Sequence, residues 1–204
     1  SKENIILFDM DGTLTPARMP IEEDMVSALN DLSNYAKIGI VTGSGMDYLL
    51  QQCSRLWSKD FGNSVNPNNI MLMPCNGTQV YSWNKNLWKN TFSLDMKSEI
   101  GNVGYSEIIY SILGSQIFFM KLYPSMPVSG NFISYRGSMI NWCPIGRDCS
   151  REDRDAFSNE DVNNRIRKFL KQTFASRLGK DLLSSLKITM GGNTSFDIYP
   201  VGWD

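Results

Sequence analysis

Two carboxylates stand two residues apart in the segment Asp9-Met10-Asp11-Gly12-Thr13, directly after the apolar run Ile5-Ile6-Leu7-Phe8. Such a run, ending at acidic residues and a glycine, predicts a buried strand of a parallel sheet with a loop at its carboxyl end. Asp9 with its side chain and Asp11 with its backbone carbonyl or side chain could meet there around Mg²⁺, which prefers carboxylate and carbonyl oxygens together with substrate phosphate oxygens. Asp9 could then attack phosphorus, while Asp11 protonates a leaving oxygen and later deprotonates an incoming one.

A calcium loop or an ordinary turn is the simpler interpretation of the same segment. The calcium template D-x-[DN]-x-[DN]-G fails, because Gly12 directly follows Asp11 and Pro20 stands where the template requires a glutamate. The apolar strand before the aspartates and the Thr-Leu-Thr after Gly12 favour phosphoryl transfer.

The chain contains no histidine. This composition excludes Ser-His-Asp triads, Cys-His nucleophile pairs, histidine-ligated zinc and histidine acid–base catalysis. Catalysis would therefore depend on carboxylates, hydroxyls, lysine or arginine, and the pair of aspartates can supply both a nucleophile and an acid–base group.

Charge and hydropathy give no reason to expect nucleic acid or a membrane as partner. Lysine and arginine number 20 against 21 for aspartate and glutamate, and no apolar run approaches the ~18 residues of a membrane helix. The four cysteines include no C-x-x-C pair, which predicts reduced thiols. The short apolar run before Asp9 is too small for a signal peptide, so we expect a cytoplasmic protein.

The first part of the chain alternates strands and helices. Helical periodicity follows Pro20, a second strand spans residues 37–41, and another helical stripe runs from Met46 to Trp57. The apolar stripe of the first helix comprises Ile21, Met25, Ala28, Leu29, Leu32 and Tyr35. This order predicts an α/β layer. The glycine-rich loop after the second strand offers the hydroxyl of Thr42 or Ser44 to a phosphoryl group.

From residue 78 onward strands predominate. The predicted elements are a hairpin of strands 78–83 and 86–92, a helix over 107–113, strands over 117–122 and 132–140, a helix from Ser150 to Phe174, and a hairpin of strands 186–190 and 194–199. On the long helix we expect Arg165, Arg167, Lys168 and Lys171 to face solvent. The prediction is therefore a core domain over residues 1–80, an inserted α+β domain over 81–198, and a return to the core over 199–204.

The Asp9-x-Asp11-Gly12-Thr13 motif resembles the first motif of the haloacid-dehalogenase-like phosphotransferases. The resemblance implies a Rossmann-like α/β core, Asp9 as nucleophile, Asp11 as acid and base, and Mg²⁺ held by both. Thr42 matches the position at which that superfamily places a hydroxyl against the phosphoryl group, and Ser44 is its competitor.

Longer segments resemble the eukaryotic-type phosphomannomutases, in the same order along nearly the whole chain. These segments are residues 9–18, 135–141, 144–147, 149–154, 191–192, 195–197 and 202–204. The resemblance implies that the insert is a cap domain whose arginines hold the second phosphate of the substrate. The implied substrate contacts are Arg136, Arg147 and Arg154 in the cap, Arg18 in the core, and Ser195 and Asp197 on a cap strand.

The same resemblance implies interconversion of mannose 6-phosphate and mannose 1-phosphate, the latter a precursor of GDP-mannose. It also implies a hexose 1,6-bisphosphate as activator and a homodimer formed through the cap, to which Phe118, Phe119 and Met120 could contribute.

Local geometry supports the substrate contacts independently. Ser195 and Asp197 would project from one face of a strand, and Arg136 would share a strand face with Ser134. Arg154 would lie in the first turns of a helix capped by Ser150, where free backbone N–H groups favour anions. A guanidinium group fits phosphate oxygens in a bidentate way.

Two departures from the family keep alternatives open. The family continues past Gly202-Trp203-Asp204 with a lysine and closing strands of the core, so we expect weak or no catalysis from these 204 residues alone. Thr42 stands where a mutase is expected to have a smaller residue, which favours a Mg²⁺-dependent sugar-phosphate phosphatase. A non-catalytic sugar-phosphate-binding protein is the third interpretation.

Overall fold

The computed structural model describes residues 4–204. The chain forms two compact units, one ending at Leu94 and the other spanning Asp95–Asp204. Each unit has its own sheet and its own hydrophobic core. Among residues 4–204 no helix is long and apolar enough to cross a lipid bilayer.

The first unit is a five-stranded sheet with the strand order β1-β2-β3-β4-β5. Its elements are β1 (Ile5–Asp9), α1 (Glu23–Leu32), β2 (Lys37–Val41), α2 (Met46–Cys53), β3 (Ile70–Met73), β4 (Gln79–Asn84) and β5 (Leu87–Ser93), with 3₁₀ turns at Ser54–Leu56 and Pro67–Asn69. Strands β1, β2 and β3 are parallel. Strand β4 pairs antiparallel with β3, and β5 pairs antiparallel with β4. The register places Asp9 beside Val41 and Val41 beside Met73, so the carboxyl ends of the three parallel strands lie together.

Strand β1 differs from the expected buried strand. It lies at the edge of the sheet with β2 as its neighbour, and Ile5, Ile6 and Leu7 are exposed. A strand with a sheet partner on one side loses only part of its surface to packing, which an apolar run alone does not reveal. Tyr35, predicted on the inner face of the first helix, lies beyond the end of α1 and is also exposed.

The second unit packs helices on a four-stranded antiparallel sheet with the order β6-β7-β9-β8. Its elements are α3 (Met96–Leu122), β6 (Ile133–Tyr135), β7 (Ile140–Trp142), α4 (Arg151–Glu160), α5 (Arg165–Ser176), α6 (Lys180–Ser184), β8 (Leu186–Gly191) and β9 (Ser195–Pro200). Trp142 is fully buried and stacks on Phe196 with a distance of 4.8 Å between the ring centroids.

The division between the units differs from the predicted boundary at residue 80. Strand β4 pairs with β3 through Met71 and Ser82, so the β4–β5 hairpin extends the first sheet. At the other end, the backbone N–H of Val201 donates to the carbonyl of Ser185, and Trp203 packs on the core of the second unit. The residues expected to return to the core domain thus complete the second unit.

Two predicted elements were wrong in type or extent. Residues 117–122 are the end of α3, not a strand, and within this run Phe119 is buried whereas Ile117 and Met120 are exposed. The helix predicted from Ser150 to Phe174 is two helices, separated where Asn163 and Asn164 adopt left-handed backbone angles. This break changes the helical phase and carries Arg167 from the expected solvent face into the interior.

Candidate active site

The first aspartate lies at the tip of the edge strand. Asp9 is the last residue of β1, its side chain is exposed, and its Oδ1 accepts the backbone N–H of Met10 at 2.9 Å. The backbone N–H groups of Thr13, Leu14 and Thr15 all donate to the carbonyl of Met10, at 3.0–3.2 Å. The chain therefore turns sharply directly after Asp9, which leaves the carboxylate accessible at the end of the strand.

The second aspartate is held within the same turn. Oδ1 of Asp11 accepts the backbone N–H of Arg18 at 3.1 Å, and Arg18 itself has a left-handed φ of 60°. Gly12 has a φ of 75°, and its N–H donates to the carbonyl of Thr15 at 2.8 Å. A glycine suits this position because it adopts positive φ without steric cost. The predicted residues Asp9, Asp11 and Arg18 thus belong to one hydrogen-bonded loop.

The hydroxyl of Thr42 lies at the tip of the neighbouring strand. Thr42 is buried, its N–H donates to the carbonyl of Met73, and its Oγ1 accepts the N–H of Ser44 at 3.1 Å. The residues that line the open cavity of about 240 Å³ beside it are Leu7, Phe8, Asp9, Val41, Thr42, Gly43 and Asn76. The structure therefore brings Asp9 and Thr42 to one cavity, and of the two competing hydroxyls it is Thr42, not Ser44, that belongs to this lining.

The carboxylate of Asp11 affects the pKa of Cys53, a buried thiol on α2. The thiol of Cys53 is fully buried, and burial together with the nearby Asp11 carboxylate raises the pKa of Cys53 to about 12. This thiol stays protonated at neutral pH and is not a nucleophile.

Gln52, which the sequence analysis did not single out, supports the loop that follows Asp11. It is buried on α2, its Oε1 accepts the hydroxyl of Thr15 at 3.2 Å, and its carbonyl accepts the N–H of Ile21 at 2.8 Å. It therefore ties the loop after Asp11 to the helix. In the sequence, the feature that could have identified Gln52 is its place next to the apolar stripe of this helix.

The donor set at Asp9 suits magnesium. Within residues 4–204 no group of three or more cysteine, aspartate or glutamate side chains is arranged to hold a metal ion. Mg²⁺ does not need one, since it commonly binds one or two carboxylates, several waters and the phosphate of its substrate. Asp9 and Asp11 are the residues of this loop that would hold it.

Three arginines gather in the second unit. Burial and the neighbouring charge of Arg136, with a smaller effect from Arg154, lower the pKa of Arg147, while Asp197 acts in the opposite direction. The guanidinium of Arg154 donates hydrogen bonds to the carbonyl of Arg147 at 2.8 Å and to the hydroxyl of Thr194 at 3.4 Å. Three cations near one carboxylate create a net positive site, which favours an anion.

The cluster has a buried donor without a partner. The Nε of Arg147 is buried and has no hydrogen-bond acceptor among residues 4–204, while its terminal nitrogen donates to the Asn141 amide oxygen. Asn141 in turn donates to Oδ1 of Asp197 at 2.8 Å. Asn141 is thus a residue missed as a site member, although it lies in a segment that carried the family resemblance.

The predicted placements of these residues meet different outcomes. Arg154 does lie in the first turn of α4, where Ser150 caps the helix by accepting the N–H of Asp153 at 3.1 Å. Arg136 lies directly after β6, which ends at Tyr135, and its N–H donates to the carbonyl of Met139 across the turn to β7 at 2.8 Å. Gly137, with a φ of 80°, makes that turn and leaves Arg136 exposed.

Ser195 and Asp197 lie on β9 with the expected alternation. Phe196 and Ile198 between and beyond them are fully buried in the core, so the polar pair occupies the other face. Oγ of Ser195 is 3.5 Å from the hydroxyl of Thr194, which is also the acceptor of Arg154. The arginines, Asp197 and Ser195 therefore meet within the second unit.

Two sequence comparisons with known proteins indicate the same family. A family model described as eukaryotic phosphomannomutase matches residues 25–204. Phosphomannomutase 1 of Mus musculus is 33% identical over 205 residues, which cover 100% of this chain and 71% of the mouse protein.

Solved structures agree with the fold. Plasmodium falciparum IMP-nucleotidase matches with a TM-score of 0.57 and 14% identity, over 96% of this chain and 47% of its own, so the chain spans about half of the nucleotidase. A haloacid dehalogenase-like hydrolase from Bacteroides thetaiotaomicron matches with a TM-score of 0.50 and 13% identity, over 98% and 72% of the two chains. These matches confirm the haloacid-dehalogenase-like α/β fold, and the family model with the mouse relative shows that the chain belongs to the eukaryotic phosphomannomutase family.

Proposed function

We propose that this protein interconverts mannose 6-phosphate and mannose 1-phosphate by way of a phosphorylated Asp9. The observation that carries the proposal is the meeting of Asp9 and Thr42 at one cavity, at the carboxyl ends of adjacent parallel strands. Ligands of open α/β sheets bind at this edge. Membership of the phosphomannomutase family supplies the reaction class.

The first chemical step is attack of an Asp9 carboxylate oxygen on the phosphorus of a hexose 1,6-bisphosphate. The bond from phosphorus to the sugar oxygen breaks, and Asp11 donates a proton to that oxygen. In the second step Asp11 removes a proton from a hydroxyl of a hexose monophosphate, whose oxygen takes the phosphoryl group from Asp9. Mg²⁺ held by the Asp9 carboxylate and the Asp11 backbone carbonyl would neutralise phosphate charge during both steps, which leaves the Asp11 carboxyl for proton transfer.

The hydroxyl of Thr42 is suited to contact the transferred phosphoryl group. Its Oγ1 accepts from Ser44, which leaves the hydroxyl proton to be donated to a phosphate oxygen. Arg18 is proposed as a core contact to the substrate, and Ser44 fixes the orientation of the Thr42 side chain.

The second unit is proposed to bind the phosphate that is not transferred. Arg136, Arg147 and Arg154 provide the cations, and the unpartnered Nε of Arg147 is a donor that a phosphate oxygen would satisfy. Ser195 and Asp197 lie beside these arginines and are suited to bind sugar hydroxyls.

The deciding assay follows conversion of mannose 1-phosphate to the 6-isomer, started with a hexose 1,6-bisphosphate and Mg²⁺. We expect weak isomer exchange in the wild type and none in Asp9→Asn. Release of inorganic phosphate without exchange would identify a sugar-phosphate phosphatase, the alternative that Thr42 favours. Binding of sugar phosphate without turnover in wild type and in Asp9→Asn would identify a binding protein.

We also propose a homodimer formed through α3. Tyr110, Leu113, Ile117 and Met120 are exposed and recur every three or four residues, so they form one apolar stripe. Of the residues suggested by the sequence, Met120 belongs to the stripe, whereas Phe119 is core and Phe118 packs on Phe169.

A cytoplasmic location and a role in supplying mannose 1-phosphate for GDP-mannose complete the proposal. The family assignment supports the metabolic role. The absence of a C-x-x-C pair among the four cysteines of the sequence supports a reducing compartment.

A further inference from the structure

A second cavity of the first unit is lined by tryptophan and amide side chains. Its volume is about 700 Å³, and the lining residues that matter here are Trp57, Trp83, Lys59, Asn66, Asn68 and Asn86. No aspartate or glutamate is among its lining residues in the described part of the chain. The cavity thus combines aromatic walls, polar amides and one cation.

This cavity lies away from the candidate active site. The Pro67–Asn69 turn, part of which lines it, directly precedes β3 and therefore stands at the amino end of that strand. Asp9 and Thr42 stand at the carboxyl ends of β1 and β2, which run parallel to β3. The two cavities therefore lie at opposite ends of the parallel strands and share no lining residue.

The aromatic walls are held in place by a third indole. Trp88 meets Trp57 edge-on at 4.9 Å and Trp83 edge-on at 5.1 Å, measured between ring centroids. Such contacts fix ring orientation. The Nε1 of Trp88 is buried without a hydrogen-bond acceptor among residues 4–204. A buried donor without an acceptor is costly.

Two of the asparagines that line this cavity are linked by hydrogen bonds. Oδ1 of Asn66 accepts both the backbone N–H and the Nδ2 of Asn68, at 3.0 and 3.1 Å. Asn86 is exposed and has a left-handed φ of 67°, in the turn that joins β4 to β5. Amide side chains carry both donors and an acceptor, which is what vicinal hydroxyls require. Lys59 adds an exposed ammonium group.

We propose that this cavity is a second binding site for a phosphorylated hexose. The flat C–H face of a pyranose would lie on the Trp57 and Trp83 rings, its hydroxyls would bond the asparagine amides, and its phosphate would approach Lys59. Ligand sites of this kind are mostly apolar, with a few polar groups that fix orientation. Asp9 takes no part in this site, so the inference holds or fails independently of the proposed reaction.

The test is a titration of the full chain followed by the NMR signals of the tryptophan indole N–H groups. Mannose 6-phosphate is the probe, and mannose, inorganic phosphate and guanosine monophosphate are compared with it. Arg154→Gln serves as the background, because it weakens sugar-phosphate binding at the arginine cluster. We expect saturable shifts of the Trp57, Trp83 and Trp88 signals that persist in this background.

Variants separate the site from a merely structural cluster. Trp83→Leu and Lys59→Met are each expected to weaken binding of mannose 6-phosphate at least tenfold, while Trp203→Leu, in the second unit, leaves it unchanged. Lys59 is exposed, so its variant tests the site even if Trp83→Leu fails to fold. Absence of saturable shifts, equal binding of phosphate alone, or preference for guanosine monophosphate would each overturn the proposal.

Discussion

Arg167 and Asp161 form an ion pair inside the second unit. Nε of Arg167 donates to Asp161 at 2.6 Å, and the two side chains are only 4% and 1% exposed. Asp161 also accepts the backbone N–H groups of Ile166 and Arg167, and Arg167 donates to the carbonyls of Gly192 and Ser195. The pair thus links the start of α5 to the turn that enters β9.

Removing one partner of this pair should destabilise the second unit strongly. Asp161→Ala leaves a buried guanidinium without its counter-charge, and breaking a buried pair in this way costs about 3–5 kcal/mol. Denaturant unfolding followed by the NMR signal of the Trp142 indole N–H would measure the loss. The matched control is Lys187→Met, which removes the exposed pair with Asp204 and should change little. Equal effects of the two substitutions would contradict this account.

The sequence predicted where the two aspartates lie better than it predicted the surroundings of Arg167. The position of Asp9 and Asp11 at a strand end could be predicted because an apolar run followed by two carboxylates and a glycine is a local pattern. The burial of Arg167 could not, because it depends on the left-handed residues Asn163 and Asn164 and on carbonyls far along the chain.

At the scale of elements, Gly146 holds the loop before Arg147 against a neighbouring segment. It has a φ of 92°, and a Cβ at this position would lie 2.1 Å from the carbonyl oxygen of Gly130. Gly137, in the β6–β7 turn, has a φ of 80° but open space around it. A side chain at position 137 would therefore add backbone strain alone, whereas one at position 146 would add both backbone strain and a steric clash.

We expect Gly146→Ala to destabilise the second unit more than Gly137→Ala. The left-handed conformation costs about 1–2 kcal/mol for a residue with a Cβ, and this cost applies to both variants. Only Gly146→Ala must also displace the backbone at Gly130, and with it Arg147. Unfolding free energies of the two variants, with binding of mannose 6-phosphate as a second readout, check this expectation. Equal losses in both variants would show that the loop yields without cost.

The start of α3 depends on pH through Asp95 and Tyr135. The Tyr135 hydroxyl donates to the Asp95 carboxylate, which also caps the helix by accepting the N–H of Ser98 at 3.2 Å. The hydroxyls of Tyr135 and Ser98 lower the pKa of Asp95, whereas burial and the Asp95 carboxylate raise the pKa of Tyr135 to about 12. The contribution to stability is therefore lost as pH falls through the lowered pKa of Asp95, and again as pH rises from about 10 through 12.

Asp95→Asn should lower the pKa of Tyr135 from about 12 while leaving it above the ordinary tyrosine value. The substitution removes the carboxylate that disfavours tyrosinate, but burial remains. Ultraviolet absorbance during an alkaline titration would measure the change, and Tyr135→Phe identifies the signal by its absence. An unchanged titration in Asp95→Asn would mean that burial alone sets this pKa.

Element types were predictable where the apolar period was local. The alternation of strands and helices up to residue 57 and the hairpin at Gly191-Gly192 were both predicted. The end of α3 was taken for a strand because Ile117, Phe118, Phe119 and Met120 are apolar in succession. In the structure Ile117 and Met120 are exposed and Phe119 is buried, so the run crosses both faces of a helix.

At the scale of the whole molecule, the exposed α3 stripe predicts the assembly state. Ile117→Glu places a charge in an apolar stripe, and we expect it to convert a dimer into a monomer without a loss of helix content. Sedimentation or light scattering over a range of concentrations would measure the change. Asn159→Glu, exposed on α4, is the control and should leave the mass unchanged. A wild-type chain that is monomeric at every concentration would contradict the proposed dimer.

Membership of the family was predictable from the whole chain, whereas its division into units was not. The segments that resemble the family follow its order from Asp9 to Asp204, the mouse relative covers the whole chain, and this order does not depend on where strands pair. The boundary depends on the pairing of β3 with β4, a contact that the hairpin sequence alone does not specify.

The central claim is that Asp9 receives the phosphoryl group, and chemical trapping tests it most directly. The full chain would be incubated with a hexose 1,6-bisphosphate and Mg²⁺, reduced with borohydride and digested, and the modified carboxylate located by mass spectrometry. The account predicts modification at Asp9 alone, its absence in Asp9→Asn, and its persistence in Arg154→Gln at a higher bisphosphate concentration. Modification at another residue, or none at Asp9 when a phosphomannomutase treated identically is labelled, would contradict it.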